Sequence, residues 1–216
     1  MKIHFRYPKS KRDSLVDEMM MLVGLDPELK SSYPGGLSGG QRQRVNIATS
    51  LMGGAGFLVA DECVSSLDVS VQAQILNLFM ELREKKGLTI LFISHDLNVI
   101  RFMANRIGVM YMGKIVETGD CAEVCDHPAH PYTQMLMSAV PSEKDPAGEG
   151  IIPRGEVPDP LNPPSGCPFH NRCIHAVELC EKEAPVLMEI NPFHQVGCHQ
   201  YVAAIQTAKE ESVCNA

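Results

Sequence analysis

Nowhere in its 216 residues does the chain contain a Gly-x-x-x-x-Gly-Lys-Ser/Thr segment, the loop whose backbone N–H groups wrap nucleotide phosphates and whose Lys reaches them. No apolar run approaches the roughly 20 residues that a membrane-spanning helix needs, and no signal sequence opens the chain. The expected location is therefore the cytoplasm, or the cytoplasmic side of a membrane by way of other subunits. Basic residues are outnumbered, with 19 Lys and Arg against 26 Asp and Glu and a net charge of -7. That argues against a nucleic-acid partner, which asks for a basic face. No Cys-x-x-Cys pair occurs among the eight cysteines, so paired zinc knuckles are not expected. In a reducing cytosol these thiols read as ligands or packed groups sooner than as disulfides. What is present, 44% hydrophobic residues, supplies ample core for one large or two small domains.

The most informative stretch runs from Leu37 to Asp68. Ser38, Gly39 and Gly40 form an exposed turn leading into a helix-like segment, where bare N–H groups and the helix dipole favour an anion such as a phosphate. Phe57 to Ala60 is short, apolar and β-prone, as a strand buried on both faces would be, and parallel α/β sheets place ligands beyond the carboxyl ends of their strands. Asp61 and Glu62 stand at that end. One such carboxylate can hold Mg²⁺, directly or through water, and its neighbour can orient or deprotonate an attacking water. Taken singly, a Ser-Gly-Gly turn is an ordinary loop and an Asp-Glu pair is ordinarily solvated. Their order and spacing together point to one site.

On these residues the stretch resembles the ATP-binding-cassette (ABC) ATPases. Leu37-Ser38-Gly39-Gly40-Gln41 is similar to the signature motif, Phe57 to Asp61 to the Walker B strand, Glu62 to the catalytic carboxylate, and Ser65-Ser66-Leu67-Asp68 to the D-loop. Leu88 to Ile93 reads as the next buried strand, and His95 follows it where the family has its switch histidine. Thr49 stands where relatives usually carry Arg, and Cys63 where they usually carry Pro. Cys63 is expected to loosen the loop after Glu62. The resemblance implies an α/β fold, an incomplete P-loop NTPase core lacking the phosphate-loop half, so that the parallel sheet is expected to expose apolar edges. It also implies ATP as ligand, Mg²⁺ through Asp61, and catalytic roles for Glu62 and His95. In the family two cassettes close head to tail, in a homodimer or heterodimer, so the resemblance implies that Ser38, Gly39 and Gly40 serve the nucleotide of a second ATPase subunit, with Gln41 and Asp68 as further nucleotide-site residues. Without the phosphate loop the chain is expected to be inactive alone, and a truncated gene or a fragment is the expected origin.

Along the chain, residues 1–12 are basic and without periodicity, hence expected irregular. Leu15, Val16, Met19, Met20, Leu22 and Val23 recur at helical spacing until Gly24. Val45, Ile47, Ala48 and Leu51 supply the apolar face of a helix begun at Ser38 and broken at Gly53-Gly54, and Val71, Ile75, Leu78 and Leu82 supply that of another, closed by Lys85-Lys86-Gly87. Arg106 to Tyr111 and Lys114 to Thr118 flank Met112-Gly113 as a tight hairpin. The expected domains are 1–36, a remnant of a helical subdomain; 37–119, the later half of the ATPase core; and 120–216, a C-terminal extension.

Past Gly119, His127 to Thr133 and the helix-like segment to Val140 resemble an extension of the oligopeptide, dipeptide and nickel importer branch. The partners so implied are two membrane permease subunits and, indirectly, an extracytoplasmic substrate-binding protein, at the cytoplasmic face of the membrane. Ser142 to Gly150 is a polar linker, Ile151 to Pro164 an extended Pro- and Gly-rich arm, and the tail after Tyr201 a frayed helix. Between them lie Cys167, Cys173, Cys180 and Cys198, spaced by five, six and seventeen residues, with Gly166, Pro168 and Gly197 as turns. Four thiolates suit either a [4Fe-4S] cluster or a tetrahedral Zn²⁺, and packed cysteines without metal remain a third reading. Asn162 through Cys173, then Cys180 and Cys198, resemble the cysteine module of peptide-importer ATPases, which implies the iron-sulfur cluster. His170, His175, His194 and His199 are secondary ligand candidates; Cys63, Cys121, Cys125 and Cys214 fall outside the pattern.

Two further readings stand beside this one. A DNA-repair ATPase with cysteine-bound metal would need basic surface and short-loop cysteine pairs. A non-catalytic regulatory or metal-binding relative is compatible with the missing phosphate loop.

Overall fold

The computed structural model describes residues 7–140 and 150–201, and the chain divides into two compact units, Met1–His95 and Asp96–Ala216. The linker from Ser142, the tail after Tyr201, and Cys214 lie outside the described residues, Gly150 excepted.

In the first unit, helix α1 spans Lys9–Leu22. It begins within the segment expected to be irregular, because Pro8 holds φ at -54° and the Lys and Arg that follow are good helix formers on an exposed turn. It ends at Gly24, whose φ of +70° only glycine adopts without strain. Helix α2, Gly39–Leu51, starts from Ser38 and buries Ile47, Ala48 and Leu51, while Val45, expected on the same face, is exposed. Helix α3, Val69–Lys86, is N-capped by Asp68, buries Ile75, Leu78, Phe79 and Leu82, and closes at Gly87 in the left-handed conformation. Strands β1, Phe57–Asp61, and β2, Thr89–Ile93, pair in parallel, from Phe57 with Thr89 to Asp61 with Ile93.

Burial of this pair differs from the expectation. Leu58 and Ala60 are buried, but Phe57 is 55% and Val59 53% exposed, and Leu91 and Ile93 on β2 are exposed as well. One face of the strand pair is covered and the other is apolar and open. A continuous apolar run states that both faces tolerate burial; which of them is covered depends on what packs there.

The second unit opens with helix α4, Leu97–Met103, capped by Asp96. Strands β3, Arg106–Tyr111, and β4, Lys114–Asp120, then form the expected antiparallel hairpin, its turn made by Met112 and Gly113 at φ of 48° and 76°. Short helices α5, Cys121–Asp126, and α6, Pro131–Ser138, follow. Beyond the arm come helix α7, Glu178–Lys182, and strands β5, Met188–Asn191, and β6, His194–Val196. The sheet order is β3-β4-β6-β5. Pairing of Glu117 with Val196 and Thr118 with Gln195 joins the cysteine module to the hairpin as one sheet. The core contains Ile107, Val109, Tyr111, Val116, Val124 and Phe169. Phe169 packs edge-on against Tyr111 at 5.2 Å between ring centroids, and Tyr132 lies 4.6 Å from Tyr111, contacts worth about 1 kcal/mol each beyond area burial.

Candidate functional site

The first candidate site is built on the carboxyl ends of the two parallel strands. Asp61 closes β1 and is exposed; Glu62, directly after it, turns into the left-handed region at φ 48°, a strained conformation for a side-chain-bearing residue, costing about 1–3 kcal/mol. The strain is over-determined by hydrogen bonds. Glu62 N–H donates to the Ile93 carbonyl at 3.0 Å, and the Glu62 carbonyl accepts from Ser65 N–H at 3.3 Å and Ser65 Oγ at 2.9 Å. The turn at Cys63, expected to be loosened, is held by these bonds and by Leu67 N–H on the Val64 carbonyl. Burial pushes the Cys63 thiol up to about 11, with the Asp61 and Glu62 charges adding to it, so it stays a protonated, unreactive thiol at neutral pH.

The bend aims the Glu62 carboxylate at His95, which follows β2. His95 Nδ1 lies 2.9 and 3.0 Å from the two carboxylate oxygens. Both groups are open to solvent, with the His95 side chain 77% and the Glu62 side chain 43% exposed. A carboxylate and an imidazole in this contact can share a proton and orient a water molecule between them and a third group.

Ser38, Gly39, Gly40 and Gln41 form the N-terminus of α2. The Ser38 side chain accepts from Gln41 N–H at 3.2 Å, and the Gln41 side chain accepts from Ser38 N–H at 2.8 Å, a reciprocal capping box. Gly40 is required by close approach, because a Cβ there would stand 2.6 Å from Val71 Cγ1 on α3. Asp68 starts that helix by accepting from Val71 N–H at 3.0 Å. The structure thus pairs Glu62 with His95 directly, and seats the turn at Gly40 against the helix that Asp68 caps.

The second candidate site lies in the other unit. Cys167, Cys173, Cys180 and Cys198 line one small cavity, brought together by local turns. Cys167 N–H donates to the Cys180 carbonyl at 2.8 Å, Cys173 N–H to the His170 carbonyl at 3.2 Å, and Gly197 N–H to the Val116 carbonyl at 2.8 Å. Gly166, at φ +68°, has no room for a side chain, since a Cβ would lie 2.3 Å from the Cys180 carbonyl oxygen. Burial raises the Cys167 and Cys173 thiols and pushes Cys198 up to about 11, and neighbouring cysteine charges add to each shift. Thiolates that repel one another in a buried cavity are the donor set that a positive centre would offset. Among the described residues, however, no three His, Cys, Asp or Glu side chains stand close enough together to hold a single metal ion.

Sequence reasoning missed a buried polar cluster beside this cavity. Glu117 on β4, His130 and His194 on β6 are each at most 1% exposed. The Glu117 carboxylate accepts from Ala129 N–H at 2.7 Å, His130 N–H at 2.8 Å and His194 Nε2 at 2.8 Å. Glu117 follows buried Val116 on a strand, so their side chains leave on opposite faces and both are covered; no periodicity signals a carboxylate in that position. His194, a secondary ligand candidate by sequence, places its ring against Glu117 instead.

Comparison with known proteins shows what the chain is similar to. The ABC transporter family model matches residues 4–65, and the model of the oligopeptide/dipeptide transporter C-terminal region matches residues 116–180. The chain is 47% identical over 201 residues to the oligopeptide transport ATP-binding protein AppF of Bacillus subtilis, covering 92% of this chain and 61% of that protein. It is 46% identical over 192 residues to the di/tripeptide transport ATP-binding protein DppF of Pseudomonas aeruginosa, covering 88% of this chain and 59% of that protein. The chain therefore spans about three-fifths of the length of these relatives. Among solved structures, cbiO1 of Clostridium perfringens, part of the ABC transporter complex cbiONQ, superposes with a TM-score of 0.53 at 27% identity, over 58% of this chain and 50% of that one. Along the stretches matched, the chain is similar to the ATP-binding proteins of ABC transporters, in the group that carries the oligopeptide/dipeptide transporter C-terminal region.

Proposed function

We propose that this chain is part of an ATP-binding subunit of an importer for oligopeptides or dipeptides, coupling ATP hydrolysis to uptake at the cytoplasmic face of the membrane. The observation that carries the reading is the Glu62–His95 contact at the ends of two parallel strands, on a residue pair that the family uses for hydrolysis. Glu62 polarises the attacking water and His95 holds the carboxylate and the reacting phosphate in register. Asp61, an exposed carboxylate at the strand end, suits the oxygen-only coordination of Mg²⁺. Ser38, Gly39, Gly40 and Gln41 present a helix N-terminus to a nucleotide held by a second ATPase subunit, and Asp68 borders the same junction. Two permease subunits, and through them an extracytoplasmic binding protein, complete the assembly. Among the described residues no helix is long and apolar enough to cross a membrane, in keeping with a peripheral subunit.

The four cysteines suit a [4Fe-4S] cluster better than zinc. Zinc sites are ordinarily closed by a Cys-x-x-Cys or similar short loop, which the chain lacks, and four cysteines lining one cavity supply the one thiolate per corner that a cluster takes. Its role is structural, holding together a module with little core of its own.

The test of the main reading is made in a full-length form carrying the phosphate loop, reconstituted with a second ATPase subunit and the permeases. Glu62→Gln should keep ATP binding and lose hydrolysis by more than 100-fold, with His95→Ala losing hydrolysis as well; unchanged turnover in both overturns the assignment. The 216-residue chain alone should show no Mg-ATP turnover, and hydrolysis that vanishes in Glu62→Gln would refute that. Anaerobic purification should yield a brown protein with equal iron and sulfide, lost in Cys167→Ser; a colourless protein with one zinc decides for the ion.

A further inference from the structure

Imidazoles line the same cavity as the four cysteines, and the hydrogen bonds around them state which ring nitrogen carries the proton. His170 Nδ1 lies 2.8 Å from the Cys167 carbonyl oxygen. A carbonyl only accepts, so in the neutral ring Nδ1 is protonated and Nε2 is bare. His199 Nε2 lies 2.9 Å from the Glu183 carbonyl oxygen, which likewise leaves its Nδ1 bare. His130 has the opposite arrangement. Tyr132 N–H donates to His130 Nδ1 at 3.0 Å, so the proton of that ring sits on Nε2.

His130 is 1% exposed and lines the cavity, so the partner of an Nε2–H on this ring comes from the fold or from what the cavity holds. The ring is also held in place. Its backbone N–H is fixed by Glu117 Oε2 at 2.8 Å, its carbonyl accepts from Gln134 N–H at 3.0 Å, and its ring centroid lies 5.9 Å from that of Phe169, two residues after Cys167, with the two rings tilted by 58°. A rigid N–H donor lining a cavity of sulfur ligands is the arrangement by which a protein tunes a metal centre from outside its coordination sphere.

We propose that His130 is a positioning residue for the cysteine-held centre, its Nε2–H donating to a sulfur of that centre while Glu117 anchors its backbone. The inference rests on the iron-sulfur reading given above. A hydrogen bond to sulfur stabilises the more negative, reduced state, so its removal lowers the reduction potential.

The experiment compares the anaerobically purified 216-residue chain with His130→Gln and His130→Leu, by iron and sulfide content, visible absorption and redox titration. His130→Leu should load fully and shift to lower potential by at least 59 mV, a tenfold change in the oxidised-to-reduced ratio of a one-electron couple. His130→Gln, which keeps an N–H donor, should remain near wild type. Full loading with equal potentials in wild type and His130→Leu overturns the proposal and leaves the cluster reading intact. A wild-type chain without iron and sulfide overturns the cluster reading itself. Where His130→Leu does not load, His130→Gln loading fully at the wild-type potential upholds the donor, and its failure to load overturns it.

Discussion

Replacing Glu117 by Ala should be among the most damaging single changes to the second unit. The carboxylate is fully buried and receives three hydrogen bonds of 2.7–2.8 Å, from Ala129 N–H, His130 N–H and His194 Nε2. Truncation leaves these three donors without their acceptor, at about 1–3 kcal/mol for each buried donor left unmet. Water entering the space of the lost side chain offsets part of that. The expected cost is about 3–5 kcal/mol, the sum over three unmet donors less what entering water restores. Glu117→Gln keeps one acceptor oxygen but turns an NH₂ group toward a donor, and should cost about 1–3 kcal/mol. With no Trp in the chain, the assay is urea unfolding followed by near-ultraviolet circular dichroism, reporting on Tyr111 and Tyr132 in the aromatic core. The midpoint should fall at unchanged slope. A cost below about 1 kcal/mol for the Ala variant, or a Gln variant worse than Ala, would refute the assignment of this carboxylate as the acceptor that ties the sheet to residues 129–130.

Acidification supplies a second test, because burial lowers the His130 pKa from 6.5 to about 4. The folded state refuses a proton that the unfolded chain accepts, so stability is full above pH 6.5 and falls as pH drops toward 4, by on the order of 3 kcal/mol; the difference between wild type and His130→Gln isolates this from carboxylate titration, and a flat difference contradicts it. Gly166→Ala forces a Cβ to 2.3 Å from the Cys180 carbonyl at a positive φ, and should cost about 2–4 kcal/mol, read as a lower urea midpoint in near-ultraviolet circular dichroism; an unchanged midpoint would contradict it. Gly40→Ala drives a Cβ to 2.6 Å from Val71 Cγ1 and should cost about 1–3 kcal/mol, with recovery in Gly40→Ala/Val71→Ala; no recovery would mean that the two helices do not touch there.

Local patterns were sufficient to determine a good deal of this protein. Ser38 before Gly39-Gly40, with Gln41 three residues on, is a capping box written in four letters, and it forms because both partners are adjacent in the chain. The same locality placed the α3 stripe of Ile75, Leu78 and Leu82, its stop at Gly87, and the hairpin at Met112-Gly113. The order of Asp61, Glu62 and His95 after two apolar runs was legible for the same reason. Their contact was not: it needs β1 and β2 to pair in parallel, and it needs Glu62 to enter a left-handed conformation that no residue type advertises. Tertiary structure alone decided that the β1 strand is covered on one face, since an apolar run does not name its neighbours. It alone decided that Glu117 and His194, 77 positions apart, meet inside a sheet. Whether a charged residue is buried depends on donors brought from elsewhere in the chain, and only folding brings them.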